Sequence, residues 1–150
     1  MEREQQNQRP HSTVTVEVDP WREEIDEVLA PLIRQIWIAG IETVMSCQET
    51  EPGIAWIEFP GVEALFRFLN LVTRYESGVD TLYNRIRYQL TGSMSAPVWE
   101  YQLNLMDIFE GQEEQTSDGL TCFEATVGVY FPVTDIPVLL QRLQAFNDAA

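Results

Sequence analysis

The chain contains no lysine, one histidine and only two cysteines. Each scarcity excludes something. All nine basic residues are arginines, and the formal net charge is −15. A protein that grips a phosphate backbone carries a basic patch or stripe. This sequence has none, so no nucleic acid is expected as a partner, and no anionic membrane surface either. The lone histidine, His11, sits in the polar opening "MEREQQNQRPHSTV". Ser/His/Asp and Cys/His catalysis both need a histidine held by the fold, so no catalytic residues are expected, and a non-catalytic role leads while an enzyme stays among the alternatives. Cys47 and Cys122 are too few for a disulfide framework and suit a reducing cytoplasm. With no Cys-x-x-Cys and no paired histidines, neither a metal site nor a cofactor is expected. Glycine-rich phosphate loops are also missing. The opening stretch lacks the apolar segment of a secretory signal, and no segment reaches the roughly 20 apolar residues of a membrane helix.

What is present is a globular composition: 150 residues, 45% apolar. This suits one domain over 14–150 behind a disordered tail at 1–13. Asp19-Pro20 resembles a helix start. Trp21, Ile25, Leu29, Leu32, Ile36 and Trp37 then keep a 3.6-residue period up to Gly40, with Pro31 kinking the helix. Residues 42–47 and 54–59 read as strands around the polar turn "QETEPG". A second helix is predicted from Pro60 to about Tyr75. Residues 85–90 and 99–105 alternate apolar and polar side chains, as do 122–131, which makes five strands. A last helix follows from Ile136 to about Phe146, capped by Thr134 or Asp135. The order α-β-β-α-β-β-β-α predicts an α+β two-layer sandwich. Its mainly antiparallel five-stranded sheet carries the helices on one face, in a ferredoxin-like or related arrangement.

Side-chain alternation then assigns faces. In the first hairpin Val44, Ser46, Gln48, Ile54 and Trp56 are expected outside, with Met45 and Cys47 in the core. A slip of one residue inverts this. Val44, Ile54 and Trp56 would form an exposed apolar patch, the usual mark of an interface. On the later strands Arg85 and Arg87 are expected beside Glu100, Gln102, Asn104 and Glu124. They stand as cross-strand partners of those carboxylates or, with Ser46 and Gln48, as a pocket for a small anionic ligand.

The segment "LIRQIWIAGIETVMSCQ" (32–48) resembles a Gly-Ile-x-Thr-x-x-Ser-Cys element of small uncharacterised bacterial and phage proteins. There a helix leads into a strand ending in Ser-Cys, and the resemblance implies an α+β domain without an assigned activity. A more distant similarity links Thr43, Ser46 and Cys47 to the Thr-Ser-Ser-Cys-Ser-Gly-Arg signature of wybutosine-synthesis tRNA methyltransferases. Gln48, Glu49 and Thr50 replace its Ser-Gly-Arg, so that activity is not carried over.

These readings lead to a soluble, acidic, cytoplasmic binding module that self-associates through its sheet or docks a protein partner. The alternatives are an anionic-ligand protein or enzyme at Ser46, Gln48, Arg85 and Arg87, and an acidic inhibitor that mimics DNA. Cys47 is expected to be a small core residue, because Glu49 and Glu51 follow it and disfavour a thiolate.

Overall fold

A computed structural model describes residues 11–74, 81–87, 98–107 and 123–150. The chain opens with a β-hairpin, β1 (Thr13–Val18) and β2 (Trp21–Asp26), around Asp19-Pro20. The helix predicted from Asp19 is therefore corrected to a hairpin. Trp21 and Ile25 are four residues apart, which helix and strand spacing both permit. Pro31 decides between them, because it opens a helix well but cannot sit inside one. Helix α1 accordingly begins at Ala30 with Pro31 in its first turn, and ends at Ile38. Gly40 follows at φ +78°, in the left-handed region that glycine enters without strain. Arg67 donates to the carbonyls of Ala39 (3.3 Å) and Gly40 (3.2 Å) and so caps this helix end.

Strands β3 (Met45–Glu51) and β4 (Ile54–Phe59) form the second hairpin, turning at Pro52-Gly53 with Gly53 at φ +81°. Helix α2 spans Val62–Thr73, as the apolar stripe predicts. The next element differs from expectation. Residues 81–87, Thr81–Arg87, form helix α3, and 88–90 lie outside the described residues. Leu82 and Ile86 are both buried at helical spacing, and that pairing wins over the alternation that begins at Arg85. Strands β5 (Glu100–Asp107) and β6 (Phe123–Pro132) and helix α4 (Ile136–Asp148) complete the chain.

β3, β4, β6 and β5 make a four-stranded antiparallel sheet in that order, while β1 and β2 form a sheet of their own. This α+β arrangement replaces the expected single five-stranded sheet. Its strand and helix sequence also departs from the β-α-β-β-α-β order of ferredoxin-like domains. Helix α4 packs against α1 and α2. Ala55, Ile57, Phe59, Val127, Val129 and Phe131 point into the core, as alternation predicts for β4 and β6. Phe59, Phe68, Trp99 and Phe131 stack in a row with ring centroids 5.2, 6.3 and 4.9 Å apart. Each such buried side chain contributes ~1.5–3 kcal/mol. Leu103 and Leu105 share this face but remain 62% and 67% exposed. Among the described residues, no helix is long and apolar enough to cross a membrane.

Arg85 is not on a sheet face. It is buried in α3, where its guanidinium donates to both carboxylate oxygens of Asp135 at 2.7 and 2.9 Å. Trp99 adds a third bond to Asp135 from its indole nitrogen at 2.9 Å. Asp135 sits at the start of α4 as expected, yet its carboxylate serves Arg85 and Trp99 and makes no cap bond. Arg87 ends α3, and its side chain lies outside the described residues, as do Cys122 and the side chain of Glu124. The pocket expected from Ser46, Gln48, Arg85 and Arg87 is thus not assembled on one face: Arg85 is buried in α3 and paired with Asp135.

Candidate metal centre

Three separately positioned segments meet at the end of the first hairpin. The Glu27 amide donates to the Ser12 carbonyl at 2.8 Å, which ties the chain just before β1 to the chain just after β2. This holds His11 beside Asp26. Thr13 pairs with Asp26 in the hairpin register, so Asp26 lies on the face opposite the buried Val16 and Ile25.

Edge strand β3 supplies the third segment. Its pairing with β4 runs regularly from Met45 to Cys47, breaks, and resumes at Glu51. Inside that irregularity the Gln48 amide donates to Asp26 Oδ2 at 2.9 Å. The Gln48 side chain extends the join: its Oε1 accepts from the Val28 amide at 3.0 Å, and its Nε2 lies 3.1 Å from His11 Nδ1. Because Oε1 takes the Val28 hydrogen, the Gln48 amide nitrogen donates to Nδ1. That bond marks Nδ1 as the nitrogen bearing the free electron pair in the neutral ring.

The outcome is one imidazole nitrogen, one carboxylate oxygen and one thiol sulfur, from His11, Asp26 and Cys47, all within 4.8 Å of one another. All three residues are half-buried. A zinc ion with bonds of about 2.0–2.3 Å holds tetrahedral ligand atoms roughly 3.3–3.8 Å apart, so a small inward shift suffices. Sulfur and imidazole together select a zinc-class ion over magnesium or calcium, which take oxygen. Three protein ligands leave the fourth tetrahedral position open. The Gln48 backbone amide holds the Asp26 carboxylate in place, the role that outer-shell groups play at metal sites. The surrounding charge of −15 draws cations to the molecule.

The sequence pointed to some of these residues for other reasons. Cys47 was placed in the core, but its register partner is Trp56, so it belongs with Met45, Trp56 and Glu58 on the outer face. Ser46 pairs with Ile57 and turns the other way, lining a 220 Å³ cavity with Glu23, Trp37 and Thr43. The slip of one residue that inverts β3 is therefore the one found. Gln48, expected in an anion pocket, instead bonds to His11 and Asp26. Ile54 and Trp56 do face outward on β4, and Val44 is exposed ahead of β3. His11 and Asp26 were missed, because their approach to Cys47 depends on a hairpin that the sequence read as a helix.

No family model matches the chain, and no solved structure matches it. It is similar to an uncharacterised protein, R428, of Acanthamoeba polyphaga mimivirus, with 29% identity over 126 residues. The alignment covers 81% of this chain and 61% of the viral protein, so the chain spans about three fifths of that relative's length.

Proposed function

We propose that this protein binds one zinc-class divalent cation through His11, Asp26 and Cys47. The observation that carries this reading is the meeting of three different ligand types, from three segments of chain, within 4.8 Å. Chance acidic clusters are common on a chain of this charge; a thiol and an imidazole beside a carboxylate are not explained by charge alone. Loading takes the thiol proton, so binding releases a proton. When bound, the ion supplies Lewis acidity at its open position. A reducing compartment such as the cytoplasm suits the site, because it keeps the thiol available.

The test is direct titration of the metal-stripped protein with cobalt(II) and zinc(II). A thiolate-to-cobalt charge-transfer band at one equivalent is expected, bleached by zinc and absent in Cys47→Ser. A band that persists in Cys47→Ser, or no binding at micromolar metal, ends the reading. A second reading, a binding module acting through the sheet, is favoured by the partly apolar outer face, on which Ile54 and Val98 line a groove and Met45 is exposed.

A further inference from the structure

The outer face of the four-stranded sheet carries a groove of about 380 Å³ lined by Glu51, Ile54, Val98, Glu100, Gln102 and Tyr130. Its floor is the Tyr130 ring with Ile54 and Val98, and the exposed carboxylates Glu51 and Glu100 stand on its rim. Beside it, Trp56 lies against Tyr130 with ring centroids 6.3 Å apart.

A second observation lies next to the groove. Glu58 is on the same face yet only 4% exposed. Its Oε1 accepts from Asn104 (2.7 Å) and Thr126 (2.5 Å), whereas Oε2 has no hydrogen-bond partner, and neither has the buried Trp56 indole nitrogen. Among the described residues no basic group forms an ion pair with Glu58; the paired outward positions of the four strands carry no arginine or histidine, and His11 reaches this face only at its Cys47 end. A buried carboxylate without a counter-charge is expensive. The charge is felt at the groove: Tyr130 is held above the ordinary tyrosine range, first by burial and second by Glu58.

We infer that this face docks an arginine-bearing segment of a partner protein, with a guanidinium laid on Tyr130 between Glu51 and Glu100. A planar guanidinium stacks on an aromatic ring and forks to carboxylates at once, which an ammonium cannot do. The segment's neighbouring apolar side chains cover Ile54, Trp56 and Met45, the last of which is 61% exposed. A second copy of this chain is the poorer occupant. It brings the same two rim carboxylates and a further charge of −15, whereas a basic partner supplies the sign that the face lacks.

The experiment uses fluorescence anisotropy with a labelled nonapeptide of alternating arginine and valine. Its lysine counterpart and spermidine serve as competitors. The arginine peptide is expected to bind best, and Glu51→Gln with Glu100→Gln to weaken it by about tenfold or more. Glu23→Gln with Glu42→Gln removes the same charge elsewhere and is expected to leave binding within about twofold of wild type. Equal loss in both double variants would reduce the effect to net charge and overturn the proposal. So would equal affinity for spermidine. A concentration-dependent dimer in sedimentation velocity that is abolished by Trp56→Asp would give the face to a second copy instead. Tyr130→Ala, checked by circular dichroism for an unchanged fold, gives an independent arm, and full retention of peptide affinity in it sinks the stacking geometry.

Discussion

Two polar clusters in this molecule use similar chemistry to opposite ends. Arg85, Asp135 and Trp99 are buried, and the Asp135 carboxylate accepts three hydrogen bonds from them. His11, Asp26 and Cys47 are half-buried, and a thiol sulfur, a carboxylate oxygen and a ring nitrogen converge there without closing on one another. In the first cluster opposite charges offset each other inside the molecule, so it joins α3 to the start of α4. In the second, every group is a donor of electron pairs, and a cation is what such a set lacks. The number of polar groups at a spot therefore says less about function than whether their bonding capacities cancel.

The largest effect that separates the two should come from Arg85→Ala. Leaving Asp135 buried and uncompensated is expected to cost about 3–5 kcal/mol in urea unfolding. Replacing both members, Arg85→Met with Asp135→Leu, should cost far less. Equal damage from the single and double variants would mean that the pair does more than cancel charge. For the open cluster, removing a member should do little to the metal-free protein, and the effect should appear on adding metal. Zinc at a hundredfold excess over its Kd is expected to stabilise wild type by about 2.7 kcal/mol, read as a rise in Tm, and to leave His11→Ala unmoved. A zinc response that survives in His11→Ala breaks the contrast.

Glu58 stands between the two cases, half satisfied and half orphaned, and Gly128 is what admits it. A Cβ on Gly128 would come within 2.5 Å of Glu58 Oε2 and 2.6 Å of Trp56 Nε1. Gly128→Ala is therefore expected to cost roughly 1–3 kcal/mol by overpacking. Unchanged stability would show that the carboxylate swings away freely. The smallest effect is spectroscopic. Burial first and the Glu58 charge second raise the Tyr130 pKa, so Glu58→Gln should move one tyrosine titration toward lower pH, and Tyr130→Phe should remove that titration. A shift upward would contradict the sign of the interaction.

Legibility from sequence followed the strength of the local signal. Helix α2, strands β4 and β5 and the C-terminal helix were readable because one period dominates each of them. Two elements were not. In 19–29 the apolar spacing fits helix and strand alike, and only the position of Pro31 discriminates. In 81–90 helical spacing from Leu82 competes with alternation from Arg85. The outward positions of Ile54 and Trp56 could be read, since β4 alternates cleanly. The inversion in β3 could not, because Val44 and Met45 are both apolar and an irregular ladder leaves no trace in side-chain type. The candidate metal centre is illegible for a further reason. His11 and Gln48 are 37 positions apart, and what joins them is a backbone bond from Glu27 to Ser12 together with a break in strand pairing.

His11 precedes β1, so its height above Cys47 is set by the hairpin register that pairs Thr13 with Asp26. A slip of one residue would carry the imidazole along by about 3.4 Å, more than a coordination bond can absorb. At the proposed site cation affinity would report hairpin alignment: a variant that frays or shifts β1 against β2 should lose cation binding before it loses the fold.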